Sequence, residues 1–299
     1  MRIIEKVIHA DGRSDEFEIY PLGDTHIGAH GCAEKLLRKH VKGIADNPNA
    51  YAIGGGDIGD LILPMDNKRF DFDSLPDWML EGDAITTRER LNDILKQQLD
   101  RIDDILNPIP SERWLGAISG NHEASIAKYY NSAIHKAICN RLDIQDLSDE
   151  AIVRLKFVRG KGFKTSAVII LYIRHGYGGG RTRGAEANKI GAMIDEWEIA
   201  DICFTGHTHT FRIEPPKPVL EIPRQGKVPK ECTCRYRWGA NWGCWQLSHP
   251  SGPGSYASRA CYPARPMLAV KAVIKPFHCT YVKGKTIETP HVELRQITL

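Results

Sequence analysis

Glu16-Phe17-Glu18-Ile19-Tyr20-Pro21-Leu22-Gly23-Asp24-Thr25-His26-Ile27-Gly28 decides the reading of this chain. The first seven residues read as a short strand, which breaks at a glycine and delivers a carboxylate and an imidazole two positions apart. In extended backbone that spacing places the outer residues on one side, so Asp24 and His26 can face one cavity. A strand end that carries such a residue beside glycine recurs four times. Tyr51-Ala52-Ile53 runs into Gly54-Gly55-Gly56-Asp57-Ile58-Gly59-Asp60, and Trp114 to Ile118 into Ser119-Gly120-Asn121-His122-Glu123. Val168 to Ile173 precedes Arg174-His175-Gly176, and Asp201 to Phe204 precedes Thr205-Gly206-His207-Thr208-His209. An Asp beside Gly is by itself an ordinary turn residue or helix cap; five such blocks at five strand ends are not explained that way.

Outward from these blocks the chain alternates strand and helix. Arg2 to His9 and Glu16 to Leu22, separated by Asp11-Gly12-Arg13-Ser14, read as a hairpin. Helical periods follow over Ala33 to Ala45, Thr87 to Leu106, Ile126 to Arg141 and Ala185 to Trp197. Beyond Phe211 the helical period is lost, and strand-like segments return at Met267 to Ile274 and His278 to Val282. The pattern predicts an α/β layered domain with its site at the carboxyl ends of the strands. We read residues 1–299 as a single domain, with every metal-type block inside 1–212 and a β-rich part, 213–299, completing a second sheet and shaping substrate access.

The 299 residues carry 40 Lys+Arg against 37 Asp+Glu, a formal net charge of +3, with 42% hydrophobic and 26% charged residues. This composition excludes disorder, collagen and coiled coil for the whole chain, and the charge is too small to argue nucleic-acid binding in bulk. No apolar run reaches the roughly 18–20 residues of a membrane helix, the N-terminus lacks the apolar core of a secretory signal, and eight scattered cysteines read as thiols. These features point to the cytoplasm and to no membrane partner. Oxygen and imidazole donors together suit divalent manganese, iron, zinc or nickel, whereas an all-oxygen set would suit magnesium or calcium.

The blocks Asp24/His26, Asp57/Asp60, Asn121/His122/Glu123, His175 and His207/His209 match, in order, the signature D-x-H, G-D-x-x-D, G-N-H-[DE], H and G-H-x-H. On these residues the chain resembles the calcineurin-like metallophosphoesterase family over Ile19 to Thr210. The resemblance implies a two-sheet β-sandwich flanked by helices, a four-layer α/β/β/α arrangement, here with a β-rich C-terminal extension. It implies two divalent ions, manganese being expected and iron, zinc or nickel the alternatives. Asp24, His26, Asp57 and His209 would hold one ion, and Asp57, Asn121, His175 and His207 the other. The implied activity is hydrolysis of phosphoric esters by water activated between the ions. His122 would assist the leaving group, and Asp60 would orient His122. The substrate could be a phosphomonoester, a small phosphodiester such as a cyclic nucleotide, or a nucleic acid. A nuclease acting on single-stranded DNA or RNA is an alternative, and a catalytically silent metal-binding scaffold another. Leu61-Ile62 stands where the protein-phosphatase branch carries Arg-Gly, which counts against that activity.

Three features stand outside the blocks. Cys232, Cys234, Cys244 and Cys261 lack the paired knuckles of a structural zinc site. Gly176-Tyr177-Gly178-Gly179-Gly180, followed by Arg181 and Arg183, lacks the Lys-Ser/Thr of a P-loop and reads as a rim loop. Arg235, Arg237, Arg259 and Arg265 interleave with Trp238, Trp242, Trp245 and Tyr256; this is either a stacking groove for single-stranded nucleic acid or, the reading we favour, core tryptophans among solvated arginines.

Overall fold

The computed structural model describes the chain apart from residues 65, 67–69, 73–74, 131–132, 161, 163–164, 180–181, 222–232, 249, 251–263 and 283–284. Its strands are β1 (Arg2–Ala10), β2 (Phe17–Leu22), β3 (Ala50–Gly54), β4 (Trp114–Ala117), β5 (Glu150–Arg159), β6 (Thr165–Arg174), β7 (Ile202–Thr205), β8 (Phe211–Glu221), β9 (Thr233–Trp242), β10 (Leu268–Val282) and β11 (Lys285–Thr298). The helices are α1 (Glu34–Asp46), α2 (Asp77–Leu80), α3 (Ala84–Asn92), α4 (Ile94–Leu106), α5 (Asn121–Tyr130), α6 (Ile134–Arg141) and α7 (Arg183–Glu196). The strands form two mixed sheets, a six-stranded one ordered β1-β5-β6-β7-β9-β8 and a five-stranded one ordered β11-β10-β2-β3-β4.

Alternation along the strands builds the layers. In β2, Phe17 and Ile19 point into the core between the sheets, where they meet Val153, Leu155 and Phe157 of β5. Tyr20 and Leu22 point the other way, onto Leu37, Val41 and Ile44 of α1 and Ile102 and Ile105 of α4. On the opposite flank Ile152 and Tyr172 of the six-stranded sheet are covered by Ile190, Met193 and Ile194 of α7. The order is therefore helices, sheet, sheet, helix, as the resemblance implies. No helix among the described residues is long and apolar enough to cross a membrane.

Several local expectations are corrected. β1 and β2 do not form a hairpin: β1 pairs in parallel with β5, and β2 lies in the other sheet between β10 and β3. The cause is burial, since both faces of β2 carry apolar side chains and need cover, whereas β1 is exposed on one face and suits a sheet edge. The helix expected over Thr87 to Leu106 breaks at Asp93, whose carboxylate accepts from the Lys96 amide and starts α4 afresh. The helix expected over Ile126 to Arg141 is two, α5 and α6, and α5 begins earlier, at Asn121. The residues from 213 on divide between both sheets rather than completing only the second, because β8 and β9 join β7 while β10 and β11 join β2.

Candidate metal centre

The five blocks leave β2, β3, β4, β6 and β7 at their carboxyl ends and converge. Two of them run side by side: the amides of Asp24, His26 and Ile27 donate to the carbonyls of Gly56, Asp57 and Ile58. Here the extended-chain argument for Asp24 and His26 is corrected. Asp24, His26, Asp57, His207 and His209 all have left-handed backbone, with φ of 47, 45, 48, 70 and 56°, so tight turns and not pleating aim them at one place. Each such residue costs of order 1–3 kcal/mol unless its surroundings hold it.

Those surroundings are hydrogen bonds that commit one oxygen of each aspartate and free the other. Asp57 Oδ1 accepts from the His122 amide in the first turn of α5 at 2.8 Å, leaving Oδ2 3.2 Å from His175 Nε2. Asp24 Oδ2 accepts from the His207 amide at 2.8 Å and from the Trp242 indole at 2.7 Å. Asp24 Oδ1 is buried without a hydrogen-bond partner, 3.5 Å from His209 Nε2 and 3.9 Å from His26 Nε2. Glu123, fully buried, accepts from the amides of Asp57 (2.9 Å), Ile58 (2.8 Å) and Gly120 (2.9 Å), and so pins the second block to the third.

The donor atoms fall into overlapping groups: Asp24, His26 and His209; Asp57, His175 and His207; and His26, Asp60 and His122. Asn121 Oδ1 joins the second group, 3.1 Å from His175 Nε2 and 2.7 Å from His207 Nδ1. His175 Nδ1 donates to the Gly55 carbonyl at 2.8 Å, which turns Nε2 toward the group. His26 Nε2 and His209 Nε2 are 3.0 Å apart. Two nitrogens bound at right angles to one ion at about 2.1 Å would stand about 3.0 Å apart. The spacing, the orphaned Asp24 oxygen and the mixed oxygen–imidazole set therefore fit divalent ions. Of the expected ligands, all seven are gathered here.

The two proposed helpers sit differently from each other. His122 Nε2 is 4.0 Å from Asp57 Oδ2, while its Nδ1 is bonded to the backbone carbonyl of Asp60. The Asp60 carboxylate faces His26 Nδ1 at 3.5 Å. Asp60 thus reaches His122 by a hydrogen bond through its main chain, and its side chain is turned toward a ligand histidine.

Electrostatics separate the histidines. Burial, joined by the neighbouring His122 and His209, holds His26 below its ordinary value, and burial with His175 does the same to His207. Burial acts against charge on His175 too, but Asp24 and Asp57 outweigh it and lift this imidazole to about 9. His209 is raised as well: burial opposes its charge, but Cys244 and Asp24 prevail. Burial works against the charged forms of Asp24 and Asp57, yet the surrounding imidazoles keep both low.

Trp242 and the tripled role of Glu123 have no local announcement in the sequence, since Trp242 lies 218 positions from Asp24. The remaining features also resolve. Trp242 and Trp245 are core residues and Trp238 is half-buried. The arginines beside them are not simply solvated, because Arg235 pairs with Asp201 at 2.6 Å and buried Arg237 donates to the Ile194 carbonyl near the end of α7. Cys234 is exposed and Cys244 buried, while Cys232, Cys261, Tyr256, Arg259 and Arg181 lie outside the described residues.

No family model and no curated protein matches the chain. Solved structures resemble the chain in fold. They include a Vps29 from Entamoeba histolytica complexed with zinc, 12% identical over 94% of this chain and 98% of that one, at a TM-score of 0.35. YfkN, a calcineurin-like phosphoesterase from Bacillus subtilis, is 10% identical over 93% of this chain and 90% of its own, at 0.35. The NAD nucleotidase NadN of Haemophilus influenzae is 10% identical, covering 94% of this chain and 49% of that one, at 0.39.

Proposed function

We propose that the chain is a metal-dependent phosphoesterase that hydrolyses phosphoric esters with two divalent ions, manganese being the expected pair. The observation that carries the reading is the convergence of seven ligand side chains in two adjoining groups, joined where His175 Nε2 lies 3.2 Å from Asp57 Oδ2 and 4.0 Å from Asp24 Oδ1. Asp24, His26, Asp57 and His209 would hold one ion and Asp57, Asn121, His175 and His207 the other. Ions held there would supply Lewis acidity at the phosphoryl oxygens and a water acidified toward neutral pH.

The chain's own groups do the rest. With one oxygen of each aspartate committed to amide or indole donors, the other is held in place for an ion without further reorganisation. The Asp60 carbonyl retains the proton on His122 Nδ1, so a second proton on Nε2 makes an imidazolium able to protonate a leaving alkoxide. The Asp60 carboxylate, 3.5 Å from His26 Nδ1, stands where it would favour the tautomer that carries its proton on that nitrogen.

The test is turnover by Mn²⁺-loaded protein on chromogenic phosphodiesters, phosphomonoesters and single-stranded DNA. Hydrolysis of either small ester supports the proposal, and cleavage of DNA alone would move the function to a nuclease. Tight binding of two ions without turnover on any of the three would make the chain a silent scaffold.

A further inference from the structure

We propose that Trp242 is a positioning residue of this centre, one whose indole selects the Asp24 oxygen left for an ion and sets the spacing of three ligand loops. The inference rests on the metal-centre reading above. Trp242 is 2% exposed, and its Nε1–H donates to Asp24 Oδ2 at 2.7 Å beside the His207 amide at 2.8 Å. Two donors on Oδ2 hold the carboxylate plane and turn Oδ1 toward His209 Nε2 and His26 Nε2. With the indole donor gone, a single donor remains and the carboxylate can rotate about its last bond.

The ring also explains three glycines. A Cβ on Gly23 would stand 2.6 Å from the Trp242 ring, one on Gly55 2.6 Å and one on Gly206 2.2 Å. Real Cβ atoms do not approach so closely, so these glycines make room for an indole where the sequence suggests room for ions and substrate. They stand just ahead of Asp24, Asp57 and His207, in loops that leave β2, β3 and β7. One side chain from β9 therefore touches ligand loops of both sheets. Its own segment is fastened to the same place: Asn241 Nδ2 donates to buried Glu186 at 2.6 Å and to the Gly206 carbonyl at 3.2 Å, and the Trp245 amide donates to the Asp24 carbonyl at 3.0 Å.

Partners that orient a ligand from behind are worth about 10–100-fold in metal affinity. The experiment replaces Trp242 in the full chain by 3-benzothienylalanine, which keeps the bicyclic shape and puts sulfur where the N–H was, and by Phe in a second variant (Trp242→Phe). Mn²⁺ binding is followed by calorimetry, together with tryptophan emission and the melting temperature of the metal-free proteins. The expected result is Mn²⁺ affinity about 10–100-fold weaker for both variants, with the benzothienyl protein melting close to wild type before metal is added. Wild-type emission should be quenched by Mn²⁺, and the quench should shrink in Trp242→Phe. Wild-type Mn²⁺ affinity in either variant overturns the role of Trp242 while leaving the metal centre standing. Failure of the wild-type chain to take up Mn²⁺ overturns the metal centre and this inference with it.

Discussion

Glu123→Ala should lower both stability and metal binding, because Glu123 is where the second and third ligand loops are joined. The substitution strands the amides of Asp57, Ile58 and Gly120, which now donate to the carboxylate at 2.9, 2.8 and 2.9 Å. Hydrogen bonds to a charged acceptor are worth about 1.5–3 kcal/mol each, so three amount to roughly 5–9 kcal/mol. Relief from burying a carboxylate offsets several kcal/mol of that, for a net loss of about 3–5 kcal/mol. At roughly 2–3 °C per kcal/mol for a chain of this size, the metal-free protein should melt about 6–15 °C lower. Because Asp57 sits at φ 48° and depends on this anchor, Mn²⁺ affinity should fall as well. Circular dichroism on heating and calorimetric Mn²⁺ titration read the two effects. A variant that melts within about 2 °C of wild type and binds Mn²⁺ equally well would refute the reasoning.

Asp57→Asn keeps the shape but removes the charge that the proposal assigns to both ions; metal analysis after dialysis should find reduced content and turnover should vanish, whereas unchanged stoichiometry would reject the shared role. His122→Ala should keep its ions yet lose about 10²–10⁴ in rate on a substrate with a poor leaving group, and near-wild-type rate there would rule it out as the acid. For pH, His175 is lifted from 6.5 to about 9 in the folded chain. Its contribution to stability is full below pH 6.5 and lost as pH rises through about 9, so the metal-free protein should melt lower at pH 9 than at pH 7. Ligation needs neutral imidazole, so Mn²⁺ uptake at pH 7 should expel protons from His175 and His209 and strengthen toward pH 9. Calorimetry in buffers of different ionisation heat measures the protons, and none released would contradict these assignments.

The candidate ligand set is legible because each block is a local string: Asp24-Thr25-His26 or His207-Thr208-His209 announces its possible donors whatever surrounds it. What was not legible is what reaches across the chain. β8 holds Pro215, Pro216 and Pro218, which argue against a strand, and the fold admits them because β8 is a sheet edge with an irregular register between Glu214 and Lys217. β5, a central partner of both β1 and β6, has no glycine-and-ligand block at its end to announce it, although its residues alternate. The false hairpin of β1 with β2 has the same origin, since alternation reports a strand and leaves its neighbour open. Asp60 shows the limit within the site: the resemblance implies a helper of His122 there, but the fold turns its carbonyl to His122 and its carboxylate to His26.

The place of β2 between β3 and β10 bears on how the protein is made. Glu18 and Lys271, an ion pair across the β2–β10 seam, are 253 positions apart. During synthesis the strand that leads into Asp24 and His26 therefore keeps an unpaired edge until residues about 250 positions later have emerged. Contacts so distant form slowly, and an open edge invites pairing with the wrong chain. Overproduction should accordingly be kinder at low temperature and with chaperones in excess.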